Sequence, residues 1–123
     1  MYESGENYLE AILMLEQKKG SVRSIDVVHH LNFSKPSVSR AVGLLKDEGY
    51  IIVDEDGFLK LTDKGRKTAE SIYEKHRVLT AFLETIACVS REIAEEDACR
   101  IEHIISPETY EGLKKFLELQ QKK

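Results

Sequence analysis

The sequence predicts a mainly α-helical fold that carries a single small β-hairpin. Two observations carry that reading: apolar residues recur at three- and four-residue spacing over most of the chain, and one Asp-Gly turn is flanked by two short runs of β-branched, aromatic and aliphatic residues. Composition sets the scale. At 123 residues, with 41% hydrophobic and 33% charged, the chain builds one small globular unit or two tightly joined ones around a modest core. Two prolines, seven glycines and no low-complexity run exclude a disordered or fibrous chain. No apolar stretch approaches the ~18 residues that a membrane span needs, so a soluble protein is expected.

Residues 4 to 17 read as the first helix, with Leu9, Ile12, Leu13 and Leu15 on an apolar side and Glu6, Asn7 and Glu10 grouped on another. Lys18, Lys19 and Gly20 close it with cations and a glycine, as a helix C-terminus prefers. Ser24 is expected to N-cap a short second helix in which Ile25, Val28 and Leu31 recur at threefold spacing, and Asn32 ends it. Ser34 then caps a third helix that tolerates Pro36 in its first turn. In that helix Val38, Val42 and Leu45 form a core stripe, while the opposite side carries Pro36, Arg40 and Gly43 flanked by Ser37 and Ser39. Two short helices joined by a tight turn, the second with a small, polar and cationic outer face, make a helix-turn-helix. After Gly49, Tyr50 to Val53 and Phe58 to Leu61 read as strands around the turn Asp54-Glu55-Asp56-Gly57, which gives the motif a wing.

Thr62 caps a long fourth helix to about Ile86, where Ala69, Ile72, His76, Leu79, Leu83 and Ile86 make a stripe. A break over Ala87 to Val89 leads to Ser90, which caps a fifth helix to about Ile105 with Ala94, Ala98, Ile101 and Ile105 as its buried row. Ser106-Pro107-Glu108 starts a sixth helix to about Leu119, with Tyr110, Leu113 and Leu117 apolar. No internal repeat is present. The expected organisation is a winged helix-turn-helix domain over residues 1–65 and an all-helical domain over residues 66–123.

The net charge of −4 argues at first against a nucleic-acid partner. Its distribution reverses that. Between Lys18 and Lys46 stand Lys18, Lys19, Arg23, Lys35, Arg40 and Lys46, with Asp26 the only acid. The third helix is therefore expected to enter double-stranded DNA, with Arg40 reading a guanine edge and Ser34, Pro36, Ser37 and Ser39 close to the groove. Arg23, Lys35 and Lys46 are expected to meet phosphates, which position without specifying. The acidic wing tip is expected to stay off the phosphates, and His29 and His30 read as surface residues.

Cys99, Glu102 and His103 stand at i, i+3 and i+4, which puts a thiolate, a carboxylate and an imidazole on one helix face. Such mixed donors suit a first-row divalent ion such as Fe(II), Co(II) or Zn(II) better than Mg(II) or Ca(II), with Mn(II) also open. The other reading makes Cys99 a small buried hydrophobe beside a solvated Glu102 and His103. His76 is either a donor or a hydrogen-bonded core histidine, and Asn7 with Glu10 either donors or a solvated pair. Tyr73 and Tyr110 read as core or interface aromatics. The amino-terminal stretch Met1 to Tyr8 has neither a basic nor an apolar segment, so a reducing cytoplasm is the expected setting, with Cys88 and Cys99 expected as free thiols.

The string Glu95-Glu-Asp-Ala-Cys99-Arg-Ile-Glu102-His103-Ile-Ile-Ser106, with Lys75-His76-Arg77 and Asn7-Tyr8-Leu9-Glu10, resembles the diphtheria-toxin-repressor family of iron- and manganese-dependent transcriptional repressors. The resemblance spans essentially the whole chain. It implies a homodimer that binds palindromic operator DNA when loaded with metal, and no enzymatic activity, membrane or small organic substrate. His76, Glu102 and His103 match metal ligands of both branches, Cys99 matches the iron branch, and Glu10 the manganese branch. Asn7 stands where the manganese branch has aspartate and the iron branch methionine. Thr80 and Glu95 replace a glutamate and a histidine of the iron branch's ancillary site, and Glu95 remains a candidate donor to a second ion. Ending near Lys123, the chain is similar to the short two-domain form without an SH3-like domain. The softness of Cys99 favours Fe(II), whereas Glu10 and the short chain lean toward Mn(II), so the metal stays open with Fe(II) placed slightly ahead and Zn(II), Co(II) or Ni(II) as substitutes in vitro. Two rivals use the same residues: a winged-helix regulator that senses oxidants through Cys99 or Cys88, and a metallo-hydrolase with Glu102 as base.

Overall fold

The computed structural model describes residues 3–121, so Met1, Tyr2, Lys122 and Lys123 of the expected domain termini lie outside the described residues. Contacts divide the chain into two compact units, Met1–Ser71 and Ile72–Lys123, with the division inside the fourth helix.

The first unit is built from α1 (Glu3–Lys19), β1 (Val22–Arg23), α2 (Ser24–Leu31), α3 (Lys35–Asp47), β2 (Ile51–Val53), β3 (Phe58–Leu61) and the start of α4 (Asp63–Thr85). The hairpin is joined by a strand that the sequence did not reveal. β1 pairs antiparallel with β3, Val22 opposite Leu59 and Arg23 opposite Phe58, which gives the sheet order β1-β3-β2. Two residues are too few for a period-2 pattern to register. Leu9, Ile12, Leu13 and Leu15 of α1 are buried as their spacing predicts, together with Val22, Val27, Val38, Leu45, Ile51 and Leu59. Burying each of these larger side chains contributes about 1.5–3 kcal/mol. Glu10 is buried among them at 8% exposure, which removes the solvated reading of that carboxylate.

Local chemistry sets the junctions. Arg23, not Ser24, occupies the N-cap of α2, because the Asp26 carboxylate three residues on accepts a 2.8 Å hydrogen bond from the Arg23 backbone N–H. Asn32 adopts the left-handed conformation (φ 57°) that ends the helix, one that its short polar side chain tolerates. Ser34 caps α3, its hydroxyl accepting from the Ser37 N–H at 3.3 Å, with Pro36 in the first turn. At the hairpin tip the Asp54 carboxylate accepts from the N–H groups of Asp56 and Phe58, both at 2.9 Å. Thr62 caps α4 by accepting from the Gly65 N–H at 3.1 Å and donating to the Gly49 carbonyl at 2.6 Å. Gly65 is needed there, since a Cβ at this position would lie 1.9 Å from the Tyr50 carbonyl oxygen.

The second unit contains the rest of α4, α5 (Arg91–Ile101) and α6 (Pro107–Gln121). Ser90 and Ser106 cap α5 and α6 through the N–H groups of Ile93 and Thr109. α5 is four residues shorter than expected. The amides of both Ile104 and Ile105 turn back to the Ile101 carbonyl, at 3.0 and 2.9 Å, and Pro107 disfavours a helical residue just before it. Ile86, expected in the buried stripe of α4, lies beyond the helix end and is exposed. α4 and α6 are fastened by a Lys114 to Glu74 ion pair at 2.6 Å and an edge-on Phe82–Phe116 contact. Tyr110 and Leu117 of α6 are buried against this side, and burial raises the Tyr110 hydroxyl pKa, the Glu74 carboxylate adding to the effect.

Gly65→Ala is expected to destabilise the first unit by about 1–3 kcal/mol, the usual cost of forcing an added methyl into packed backbone. Urea denaturation reads this as a lowered midpoint, and an unchanged midpoint would contradict the close approach of α4 to Tyr50.

Candidate functional site

Two sets of residues carry chemistry, one in each unit. In the second unit, α5 ends in a turn that places Cys99, Glu102 and His103 with candidate ligand atoms within 4.8 Å of one another. The Glu102 side chain is fully buried, and so is that of His103. Cys99 is exposed, which reverses the reading of a buried cysteine beside two solvated neighbours. Glu102 Oε2 lies 3.0 Å from His76 Nδ1 of α4, and its Oε1 lies 3.3 Å from His103 Nε2. One carboxylate thus faces two imidazoles, reaching His76 across 26 residues of sequence. Thr80 is buried a turn beyond His76 and donates to the His76 backbone carbonyl at 2.7 Å, a hydrogen bond within the helix rather than a contribution to the donor group.

A buried carboxylate without full compensation is costly, because burial removes its hydration. Glu102 Oε1 is buried and accepts no hydrogen bond, although the His103 ring stands beside it. A cation there would meet a ready acceptor beside the Cys99 thiol and the His103 imidazole, so these residues fit a bound divalent metal. Glu95, the proposed donor to a second ion, is exposed and ion-paired with Arg91 Nε at 3.2 Å, and Arg91 also reaches Glu84 at 3.3 Å. In the first unit, Asn7 is half-buried and Glu10 buried on α1.

The second set lies on α3 and around it. Lys35, Pro36, Ser37, Ser39, Arg40 and Lys46 are all exposed, while Val38 and Leu45 turn inward. Ser34, also exposed, is occupied in capping. Among the described residues the cations of this unit fall into two groups. Lys19 is paired with Asp26, Lys60 with Asp54, and Arg66 with Glu16. Arg23, Lys35, Arg40 and Lys46, and likewise Lys18, Lys64 and Lys67, have no carboxylate within ion-pair distance, Lys64 donating instead to the Glu48 carbonyl at 2.9 Å and lying 4.2 Å over the Tyr50 ring. Both pairing aspartates are held below the ordinary carboxylate range: Asp26 chiefly by the hydrogen bond from Lys19 and then by the Arg23 N–H, Asp54 chiefly by the Phe58 N–H. The acidic wing tip is therefore partly structural, with Asp54 turned to the backbone and only Glu55 and Asp56 exposed. Phe58 was absent from the sequence-derived candidates, yet its ring lies 4.1 Å beneath the Arg23 guanidinium. The register of β1, itself invisible in the sequence, is what brings the two together.

Residues 1–59 match the family described as "Iron dependent repressor, N-terminal DNA binding domain", and residues 62–122 match "Iron dependent repressor, metal binding and dimerisation domain". The chain belongs to the iron-dependent repressor family. Arg23, Lys35, Arg40 and Lys46 lie in the part that matches the family's DNA-binding domain, and the Cys99, Glu102 and His103 group in the part that matches its metal-binding domain. Within the family the chain is 31% identical over 119 residues to an uncharacterised HTH-type transcriptional regulator of Methanocaldococcus jannaschii, a match that covers 96% of this chain and 95% of the relative. It is 30% identical over 118 residues to the diphtheria toxin repressor of Corynebacterium diphtheriae, covering 96% of this chain but 52% of that protein, so it spans about half the length of that relative. The solved structure of the manganese regulator SloR is similar with a TM-score of 0.83 at 31% identity, over 93% of this chain and 53% of that one. Among this chain's described helices none is long and apolar enough to cross a membrane.

Proposed function

We propose that this chain is a cytoplasmic, metal-responsive transcriptional repressor that binds palindromic operator DNA as a homodimer and has no catalytic activity. The observation that carries the reading is the buried Glu102 carboxylate, faced by His76 and His103 beside the Cys99 thiol. His76, Cys99, Glu102 and His103 are the proposed donors, with Asn7 and Glu10 added on the family resemblance alone and Glu95 assigned to a second ion. A sulfur, oxygen and nitrogen donor set supports Fe(II) ahead of Mn(II), and Zn(II), Co(II) or Ni(II) would occupy it in vitro. The bound ion supplies positive charge to the carboxylate and thiolate, and its effect on DNA affinity is bounded by how much more tightly the DNA-competent state holds it.

The DNA half of the proposal rests on α3. Arg40, exposed and unpaired by any carboxylate among the described residues, is the proposed reader of a guanine edge. Ser34, Pro36, Ser37 and Ser39 line the approach, and Arg23, Lys35 and Lys46 bind phosphates. Exposed Ile93, Ile104, Phe116 and Leu119 support a homodimer formed by the second unit, since large apolar side chains at the surface of a small helical unit suit a protein partner.

The test is anaerobic binding of the chelator-stripped protein to the DNA upstream of its own coding sequence, titrated with Fe(II), Mn(II) and Zn(II) alongside Glu102→Gln. Binding is expected only with metal and is expected to be lost in the variant. Equal binding in chelator and with every metal would contradict the proposal. Arg40→Ala is expected to relax preference at about one base pair per half-site by ~1–3 kcal/mol. A specificity profile unchanged by that substitution would remove Arg40 from its role.

A further inference from the structure

Arg23 differs from Lys35, Arg40 and Lys46 in that its charged group is held over a ring, as Lys64 is held 4.2 Å over Tyr50. Arg23 stands directly opposite Phe58 across the antiparallel β1-β3 pair, and its guanidinium carbon lies 4.1 Å from the centre of the Phe58 ring. Directly opposed residues of an antiparallel pair share a face of the sheet and have their Cβ atoms ~4.5–5.5 Å apart, so the strand register itself delivers the stack. The neighbouring turn residue is Gly57, at φ 84°, where a Cβ would lie 3.4 Å from Arg23 Nη1. The backbone of Arg23 is fixed as well, through its N–H to Asp26 at 2.8 Å. No carboxylate among the described residues neutralises the guanidinium, whereas Lys60 on the same strand as Phe58 is neutralised by Asp54.

We propose that Phe58 is a positioning residue for DNA binding, whose ring holds the Arg23 guanidinium at the root of the wing as a pre-arranged contact for a DNA phosphate. The inference rests on the DNA-binding reading above. Stacking uses the π face of the guanidinium and leaves its N–H edge available, which is the edge that grips a phosphate. An arginine loses much rotamer freedom when it is immobilised in a complex. A side chain already parked on a ring loses less, and Asp54 holds Lys60, the other cation of β3, in an ion pair.

The test uses the full chain with Mn(II) and a mixed-sequence 24-base-pair duplex (about two helical turns), with affinity measured by fluorescence anisotropy across potassium chloride concentrations. Arg23→Gln is expected to lower the slope of log affinity against log salt by about 0.9 per subunit engaged. Phe58→Leu is expected to weaken binding about two- to fivefold per subunit engaged, the range of an exposed cation–π contact. Phe58→Tyr, which keeps the ring, is expected to bind like the parent. In the Arg23→Gln background Phe58→Leu is expected to have no further effect, because the only role assigned to the ring is to hold that arginine. In the free protein the Arg23 Nε–H resonance is expected to carry a ring-current shift that Phe58→Leu abolishes and Phe58→Tyr retains, which checks the stack itself, while the double variant separates a role in DNA binding from a fold-only role. An unchanged salt slope in Arg23→Gln, or a Phe58→Leu loss of the same size with and without Arg23, would overturn the assignment. Failure of the parent protein to bind duplex DNA at all would instead overturn the function on which it rests.

Discussion

Glu102 is the group on which the helical unit's chemistry turns. A carboxylate whose side chain is wholly buried loses its hydration, and the loss is large unless charge and hydrogen bonds replace it. Here the replacements are two imidazoles, His76 at 3.0 Å from one oxygen and His103 at 3.3 Å from the other, and the second oxygen still accepts no hydrogen bond. The surroundings follow from that constraint. α5 stops at Ile101, so Glu102 and His103 stand in a turn rather than in a regular helix, and Thr80 ties its hydroxyl to the His76 carbonyl. Cys99 stays at the surface beside them. Such an arrangement is poor as plain core packing and good as a set of donors waiting for a cation.

The first unit sorts its charges by a similar economy. Asp26 and Asp54 each have local work, one ordering the start of α2 and the other closing the wing turn, and each takes one lysine out of circulation. Their carboxyl groups titrate below the ordinary range because the charged form is the one that backbone N–H groups and lysines hold. Arg23, Lys35, Arg40 and Lys46 remain without an ion pair, as do Lys18, Lys64 and Lys67. An overall charge of −4 therefore coexists with exposed cations on and beside α3, although Asp47, Glu48, Glu55 and Asp56 of the same unit are exposed as well.

Most of the fold was legible because its signals are local. Helical spacing located all six helices, Ser34, Thr62, Ser90 and Ser106 announced their own helix starts, and the Asp-Gly turn announced the hairpin. The misses share a cause. β1 is two residues long, the N-cap of α2 is an arginine that works only through Asp26, and α5 ends early through carbonyl bonding that no residue type advertises. For the site, the Cys99, Glu102 and His103 spacing was readable because a helical turn converts spacing directly into proximity. Their burial was not: the exposed Cys99 and buried Glu102 and His103 depend on what covers α5, which periodicity does not encode. The partnership of Arg23 with Phe58 needed a strand register, and register is a tertiary property.

The account stands on Cys99, Glu102, His103 and His76 holding a transition-metal ion. Anaerobic titration of the chelator-stripped protein with Co(II), followed by absorption spectroscopy, tests it most directly, because a thiolate bound to cobalt gives a charge-transfer band that carboxylates and imidazoles do not. The account predicts a saturable band that vanishes in Cys99→Ser and does not develop in Glu102→Gln. Saturable binding without a thiolate band, or a titration identical in the parent and in Glu102→Gln, would contradict it.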